Sequence, residues 1–280
     1  MQRRYFMFTT AQNDKIQEFK FYMLWGDKNN RKLYITNHND VLLAVKKAYI
    51  DMQPRTIDGL GLSLKSGKQP SKKYAAYWNI VALKEKTIND LNIYLAKQVA
   101  KSIFKCLNAP SLNQSLFDKE HSELCCNFIT AFKKGINSIN SAITSAIDIG
   151  APPKGIPSNY LKYSQIDPSQ ITYGKAQKIV NMTFKYLSLF DDANQFSNVF
   201  QYCHVAIDRY IIEEVNAQCK NFKISLNAQQ EHALNKAWSN YDDNDYSNML
   251  TLMRTIISSP NYAGGKLLFF EEFDWWMKHL

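Results

Sequence analysis

The chain has no Cys-x-x-Cys pair, no apolar run long enough to cross a bilayer, and few acidic residues in its first third. Without paired thiols at the usual spacing, neither a structural zinc nor a redox dithiol is expected. The five cysteines (Cys106, Cys125, Cys126, Cys203 and Cys219) are odd in number and two are adjacent. They read as reduced thiols of a cytoplasmic protein. A membrane-spanning helix needs about 20 consecutive apolar residues, so a membrane partner is not expected. The opening residues MQRRYFMFTT turn polar within a few positions, which does not suit a secretory leader.

What is present is a polarised charge. Residues 1–105 hold 19 Lys/Arg against 8 Asp/Glu, residues 106–190 hold 8 against 5, and residues 191–280 hold 7 against 12. The formal net charge of +9 is therefore concentrated at one end. A field of that shape suits a polyanion, because neutralised phosphates supply most sequence-independent affinity for nucleic acid. A lysine-decorated surface with no partner is the plain alternative. At 280 residues the chain can bury one large core or two moderate ones.

Alternation and turn residues predict a small antiparallel sheet from strands at 5–9, 18–24 and 32–36. A helix over 39–52 follows, capped by Asn39 or Asp40. Residues 54–73 read as a loop rich in Gly, Pro, Ser and Lys, in which Lys68, Lys72 and Lys73 are candidate phosphate contacts. Apolar residues at helical steps then predict a helix over 87–107, with Thr87 as cap, and another over about 116–149. A connection at 150–171 contains Pro152, Pro153, Pro157 and Pro168. No repeat or low-complexity tract is evident, and the charge shift sets a boundary near 105 between a basic α+β region (1–105) and a helical domain (106–280).

Two segments stand out for chemistry. In the first, Gly174-Lys175-Ala176-Gln177-Lys178 opens a helix on which Lys178, Asn181 and Lys185 form one polar stripe and Ala176, Ile179, Val180, Thr183, Leu187 and Phe190 an apolar face. In the second, His204-Val205-Ala206-Ile207-Asp208 leads into a helical run, placing Asp208 at an N-cap where backbone N–H groups and the helix dipole favour an ionised carboxylate. A solvated helix face and a simple cap are the plain alternatives for these residues.

A glycine, a lysine at the start of a helix and a later apolar-apolar-Asp segment together resemble the helix-hairpin-helix DNA glycosylase superfamily, which includes endonuclease III and the 8-oxoguanine DNA glycosylases. The likeness covers residues 165–220, and Lys178-x-x-Asn181 has the spacing of the endonuclease III branch. It implies a mostly α fold, a helical bundle of the glycosylase type, here with the small N-terminal sheet. It further implies that Lys178 is the nucleophile and Asp208 the stabiliser of a cationic sugar, with Gln177, Asn181, Lys185 and His204 near the substrate and Gly174 and Lys175 on the nucleic acid. The partner would be DNA, RNA not being excluded, and the reaction excision of a modified base with a Schiff-base lyase step. The family's Leu-Pro-Gly-Val-Gly hairpin is replaced by one glycine, Gly174, and the 30 residues from Lys178 to Asp208 exceed the separation in endonuclease III. The four clustered cysteines of the iron–sulfur branch are missing after Asp208, so no cofactor is expected.

Other patterns give alternatives. Arg31 and His38 have the Arg-x6-His spacing of HEPN ribonucleases, but on a predicted strand. Trp275 and Trp276 suit base stacking or, more commonly, docking into a core or partner. Trp238 beside Asp242, Asp243 and Asp245 resembles a cation loop without an EF-hand's glycine and terminal glutamate. A non-enzymatic nucleic-acid-binding protein, as in mobile elements or phages, is the second functional expectation, and a protein-interaction module the third.

Overall fold

The computed structural model describes residues 33–56, 91, 93–149, 168–265 and 267–278. These residues are mostly helical, and no strand occurs among them. The helices are α1 (His38–Thr56), α2 (93–107), α3 (Gln114–Ile149), α4 (Tyr173–Leu187), the single turn α5 (Ser197–Phe200), α6 (Arg209–Asn221), α7 (Ala228–Asn235), α8 (Asp243–Ser258) and α9 (Leu268–Met277). Short 3₁₀ turns lie at Pro168–Gln170, Ala193–Phe196 and Trp238–Asn240.

The expected strands at 5–9 and 18–24, the Lys-rich loop with Lys68, Lys72 and Lys73, and the Thr87 cap lie outside the described residues. The described part of the expected strand at 32–36 has no partner strand among the described residues. It is instead pinned to the turn after α4: Leu33 N–H donates to the Asp191 carboxylate at 2.7 Å, Ile35 N–H to the Asp192 carboxylate at 2.9 Å, and Asp191 N–H to Leu33 O at 2.8 Å. The cap of α1 also differs from expectation. Asn37 Oδ1 accepts from Asn39 N–H, while Asp40 Oδ2 turns back to accept from the Thr36 and Asn37 N–H groups.

α4 is the axis of the molecule. Of its residues only Lys175 and Lys178 are not fully buried, so the polar stripe that resembled a solvated face is largely interior. α1 and α3 both pack against it, and the 3₁₀ turn at Trp238–Asn240 covers its N-terminus. Thr172 caps it, its hydroxyl accepting from Lys175 N–H at 3.3 Å and donating to Ser239 O at 2.6 Å. α3 contributes a long apolar stripe, Phe117, Cys125, Phe128, Phe132 and Ile136, all buried at helical spacing, with His121 on the same line. α2 turns Leu95, Val99, Ile103 and Leu107 inward. At the other end α9 places Phe269, Phe270, Phe273 and Trp275 in the core, and Trp275 Nε1–H donates to Tyr262 Oη at 3.0 Å. The C-terminal aromatics thus dock internally.

Gly174 fixes how closely the Trp238 turn approaches α4. Its N–H donates to Tyr241 O at 3.0 Å, and a Cβ built there would lie 1.8 Å from Trp238 O. The neighbour is backbone and cannot rotate away. Gly174→Ala is therefore expected to lower the urea-unfolding free energy by roughly 2–3 kcal/mol, the upper range for overpacking. A change within half a kcal/mol would show that the turn moves freely.

Candidate functional site

Residues 203–208 form a non-helical segment between α5 and α6, with Cys203 to Ile207 all buried. Their peptide groups have no strand beside them among the described residues, and buried polar groups must be paired. α4 supplies the partners. Asn181 Nδ2–H donates to Val205 O at 2.8 Å, Lys178 Nζ–H to Ala206 O at 3.3 Å, and Gln177 pairs with Ile207 in both directions, donating to its carbonyl at 3.1 Å and accepting from its N–H at 3.3 Å. Ala206 N–H donates to Glu272 Oε2 of α9 at 2.9 Å. Four side chains thus perform the hydrogen bonding of two neighbouring strands.

The segment ends at Asp208, whose Oδ1 accepts from Ile211 N–H at 3.1 Å and caps α6. Its Oδ2 accepts from Lys178 Nζ at 2.6 Å. The two side chains are 12% and 18% exposed, so the pair sits at the surface edge of the core. Burial pushes the Asp208 carboxyl up, but the Lys178 charge, its hydrogen bond and the Ile211 N–H together outweigh that and hold it below the ordinary value. Asp208 is therefore ionised at neutral pH. The Trp238 ring lies 5.9 Å from Lys178 Nζ, and Tyr210 stands half out of the surface on the first turn of α6.

About two turns further along α4, Lys185 is 2% exposed and donates to Glu272 Oε1 at 2.7 Å, with the Phe273 and Trp276 rings each 5.3 Å away. Burial draws its ammonium down and the Glu272 charge opposes this. Glu272 thus joins both parts: one oxygen holds Lys185 and the other the Ala206 amide.

Behind the segment runs a second buried network. His204 Nε2 faces Asp118 Oδ1 at 2.8 Å, so it carries the proton. Its Nδ1 accepts from Tyr246 Oη at 2.9 Å, and Tyr246 in turn accepts from Asn181 Nδ2 at 3.0 Å. Asn181 Oδ1 then accepts from His121 Nε2–H at 2.8 Å. Arg254 closes the outer end with a bidentate pair to Asp118 at 2.8 Å for each bond. The contacts from Asp118 through His204 and Tyr246 to Asn181 can form with a neutral His204, and burial lowers both imidazole pKa values.

The structure brings Lys178 and Asp208 together. It places Gln177, Asn181, Lys185 and His204 in the interior, where they bind the chain's own groups rather than standing ready for a substrate. The Gly174 N–H is taken by Tyr241 O, and Lys175 is half-buried, its pKa drawn down by burial. His38 begins α1, so the Arg-x6-His pair does not fall within one described helix. Asp242 and Asp245 form the capping box of α8, with Asp245 also held by Lys236. Among the described residues no group of three or more metal-ligating side chains converges. Sequence reasoning missed Asp118, His121, Tyr246, Arg254 and Glu272. A signal existed for His121, a polar residue inside the apolar stripe of α3, and for Glu272 between phenylalanines.

Compared with models of known families, with curated proteins and with solved structures, the chain matches none.

Two outcomes test this arrangement. Asn181→Leu leaves Val205 O, Tyr246 Oη and His121 Nε2 without their partner, at roughly 1–3 kcal/mol for each orphaned group; loss of at least about 3 kcal/mol in chemical denaturation is expected. The buried histidines also set a pH dependence. Their folded pKa values lie below the ordinary 6.5, so the unfolded chain binds more protons as pH falls below that value. Stability is complete above 6.5 and is expected to decline between there and about pH 5, the decline being weaker in His204→Asn. Urea midpoints across that range measure it.

Proposed function

We propose that the protein is a DNA N-glycosylase with a Schiff-base lyase step, acting on a modified base through Lys178 and Asp208. The observation that carries the reading is the meeting of these two side chains at 2.6 Å at the edge of the core, a lysine of one helix against the capping aspartate of another. An ionised carboxylate there suits stabilisation of a sugar that becomes cationic as its base departs. In the reaction the C1′–N bond breaks with its electron pair going to the base, which takes up a proton. The Lys178 amine, having lost its own proton to solvent, bonds to C1′. Ring opening gives the Schiff base, and removal of a C2′ proton expels the 3′-phosphate. Entry of a sugar between the two groups parts the ion pair and removes water from the amine, which favours the neutral nucleophile. Lys68, Lys72, Lys73 and Lys175 are the candidate phosphate contacts in this reading.

The double duty of Lys178, which holds Ala206 O as well as Asp208, favours a second reading. Here the pair is a clamp, and the protein binds nucleic acid without chemistry. Borohydride trapping separates the two, using duplexes that carry oxidised, alkylated or deaminated bases. The enzyme reading expects an adduct that disappears in Lys178→Ala, and base release slowed about 10²–10³-fold in Asp208→Asn. The absence of any adduct or base release on all substrates, with salt-sensitive binding retained in the double Ala variant, would leave binding alone.

A further inference from the structure

α2 presents a face that the Lys178 site does not use. Its buried residues Leu95, Ala96, Val99, Ala100, Ile103 and Leu107 define one side of the helix. At 3.6 residues per turn, the opposite side carries Tyr94, Lys97, Lys101 and Lys105, in steps of three, four and four. All four are exposed, and Tyr94, at 55%, is the most exposed large hydrophobic residue among those described. Residues 93–107 contain no Asp or Glu. None of the three lysines has an ion-pair partner among the described residues, whereas Lys119, Lys178, Lys185, Lys236 and Lys278 all do.

Like charges four residues apart on a helix repel by a few tenths of a kcal/mol per pair. A bound polyanion relieves that repulsion and releases its own counterions. The row spans about 16 Å at 1.5 Å per residue, enough for several consecutive phosphates of an extended strand. Tyr94 adds an aromatic face at one end, and such faces bind nucleic acid by stacking on a base that is not already stacked in a duplex.

We propose that this row is a docking face for single-stranded nucleic acid, with Lys97, Lys101 and Lys105 following the phosphates and Tyr94 stacking against an unpaired base. The inference rests on the reading of the chain as a protein that handles nucleic acid, but not on Lys178 or Asp208. Lys105 shares the rim of a cavity of about 170 Å³ with Glu120 and Glu123, so Lys97 and Lys101 carry most of the attraction.

The test is fluorescence anisotropy of a short labelled oligothymidine, and of a duplex of equal length, over a KCl series. Each single-strand phosphate contact contributes about 0.7 to the slope of log K against log salt. The triple variant Lys97→Gln, Lys101→Gln, Lys105→Gln is expected to flatten that slope by about 1.4 to 2. Tyr94→Ala is expected to weaken oligothymidine binding about tenfold at unchanged slope and to leave duplex binding alone. Circular dichroism should be unchanged, because all four side chains are exposed. Salt-sensitive binding by the wild type that neither variant alters would overturn this docking face while leaving the nucleic-acid reading intact. Equal weakening of strand and duplex by Tyr94→Ala would overturn the single-strand assignment. If the wild type binds neither probe, the nucleic-acid reading fails and takes the docking face with it.

Discussion

A buried non-helical segment crossing a helical core must find partners for its peptide groups. At the centre of residues 203–208 side chains meet that constraint: Asn181, Lys178 and Gln177 from α4 and Glu272 from α9 reach the backbone of Val205, Ala206 and Ile207. An unpaired buried peptide group costs about 1–3 kcal/mol, so these contacts together weigh as much as a large part of a domain's net stability. The placement of α4 at the centre, the polar character of its interior stripe and the position of Asp208 all answer to this requirement.

The same contacts couple structure to the candidate chemistry. Gln177 grips Ile207 in both directions immediately before Asp208, so the capping carboxylate is aimed by a rigid peptide rather than by a loose loop. Glu272 ties the Ala206 amide to the buried Lys185 ammonium. Removing one member of a buried ion pair is costly because the survivor is left unpaired, and here the loss would also release the segment that carries Asp208. Asn181 sits between the two networks, joined to Val205 on one side and to Tyr246 and His121 on the other. Site geometry and core integrity are therefore one system, with little tolerance for change at α4.

Charge is distributed differently from this machinery. Among the described residues, Lys236, Lys278, Arg209 and Arg254 of the later helices each meet a carboxylate, while the lysine row of α2 meets none.

Local pattern determined a good deal. Apolar residues at helical steps gave α1, α2 and α3 to within a few residues of the described spans, and an Asp before a helical run gave the cap of α6, because both signals act within a turn or two of chain. Sequence reading singled out Lys178 and Asp208 as candidates, while their contact at 2.6 Å is a feature of the tertiary structure. What sequence left open was which side of α4 faces water, since a stripe of Gln, Lys, Asn and Lys has the same periodicity whether solvent or a buried backbone satisfies it. Only packing decided that, by laying residues 203–208 along the stripe. Packing likewise gathered Asp118, His121, His204, Tyr246 and Arg254 from positions up to 136 residues apart, and tied Leu33 and Ile35 to Asp191 and Asp192. Helix boundaries are local free energies; the partners of buried polar groups are set by chain segments distant in sequence, and no local pattern encodes them.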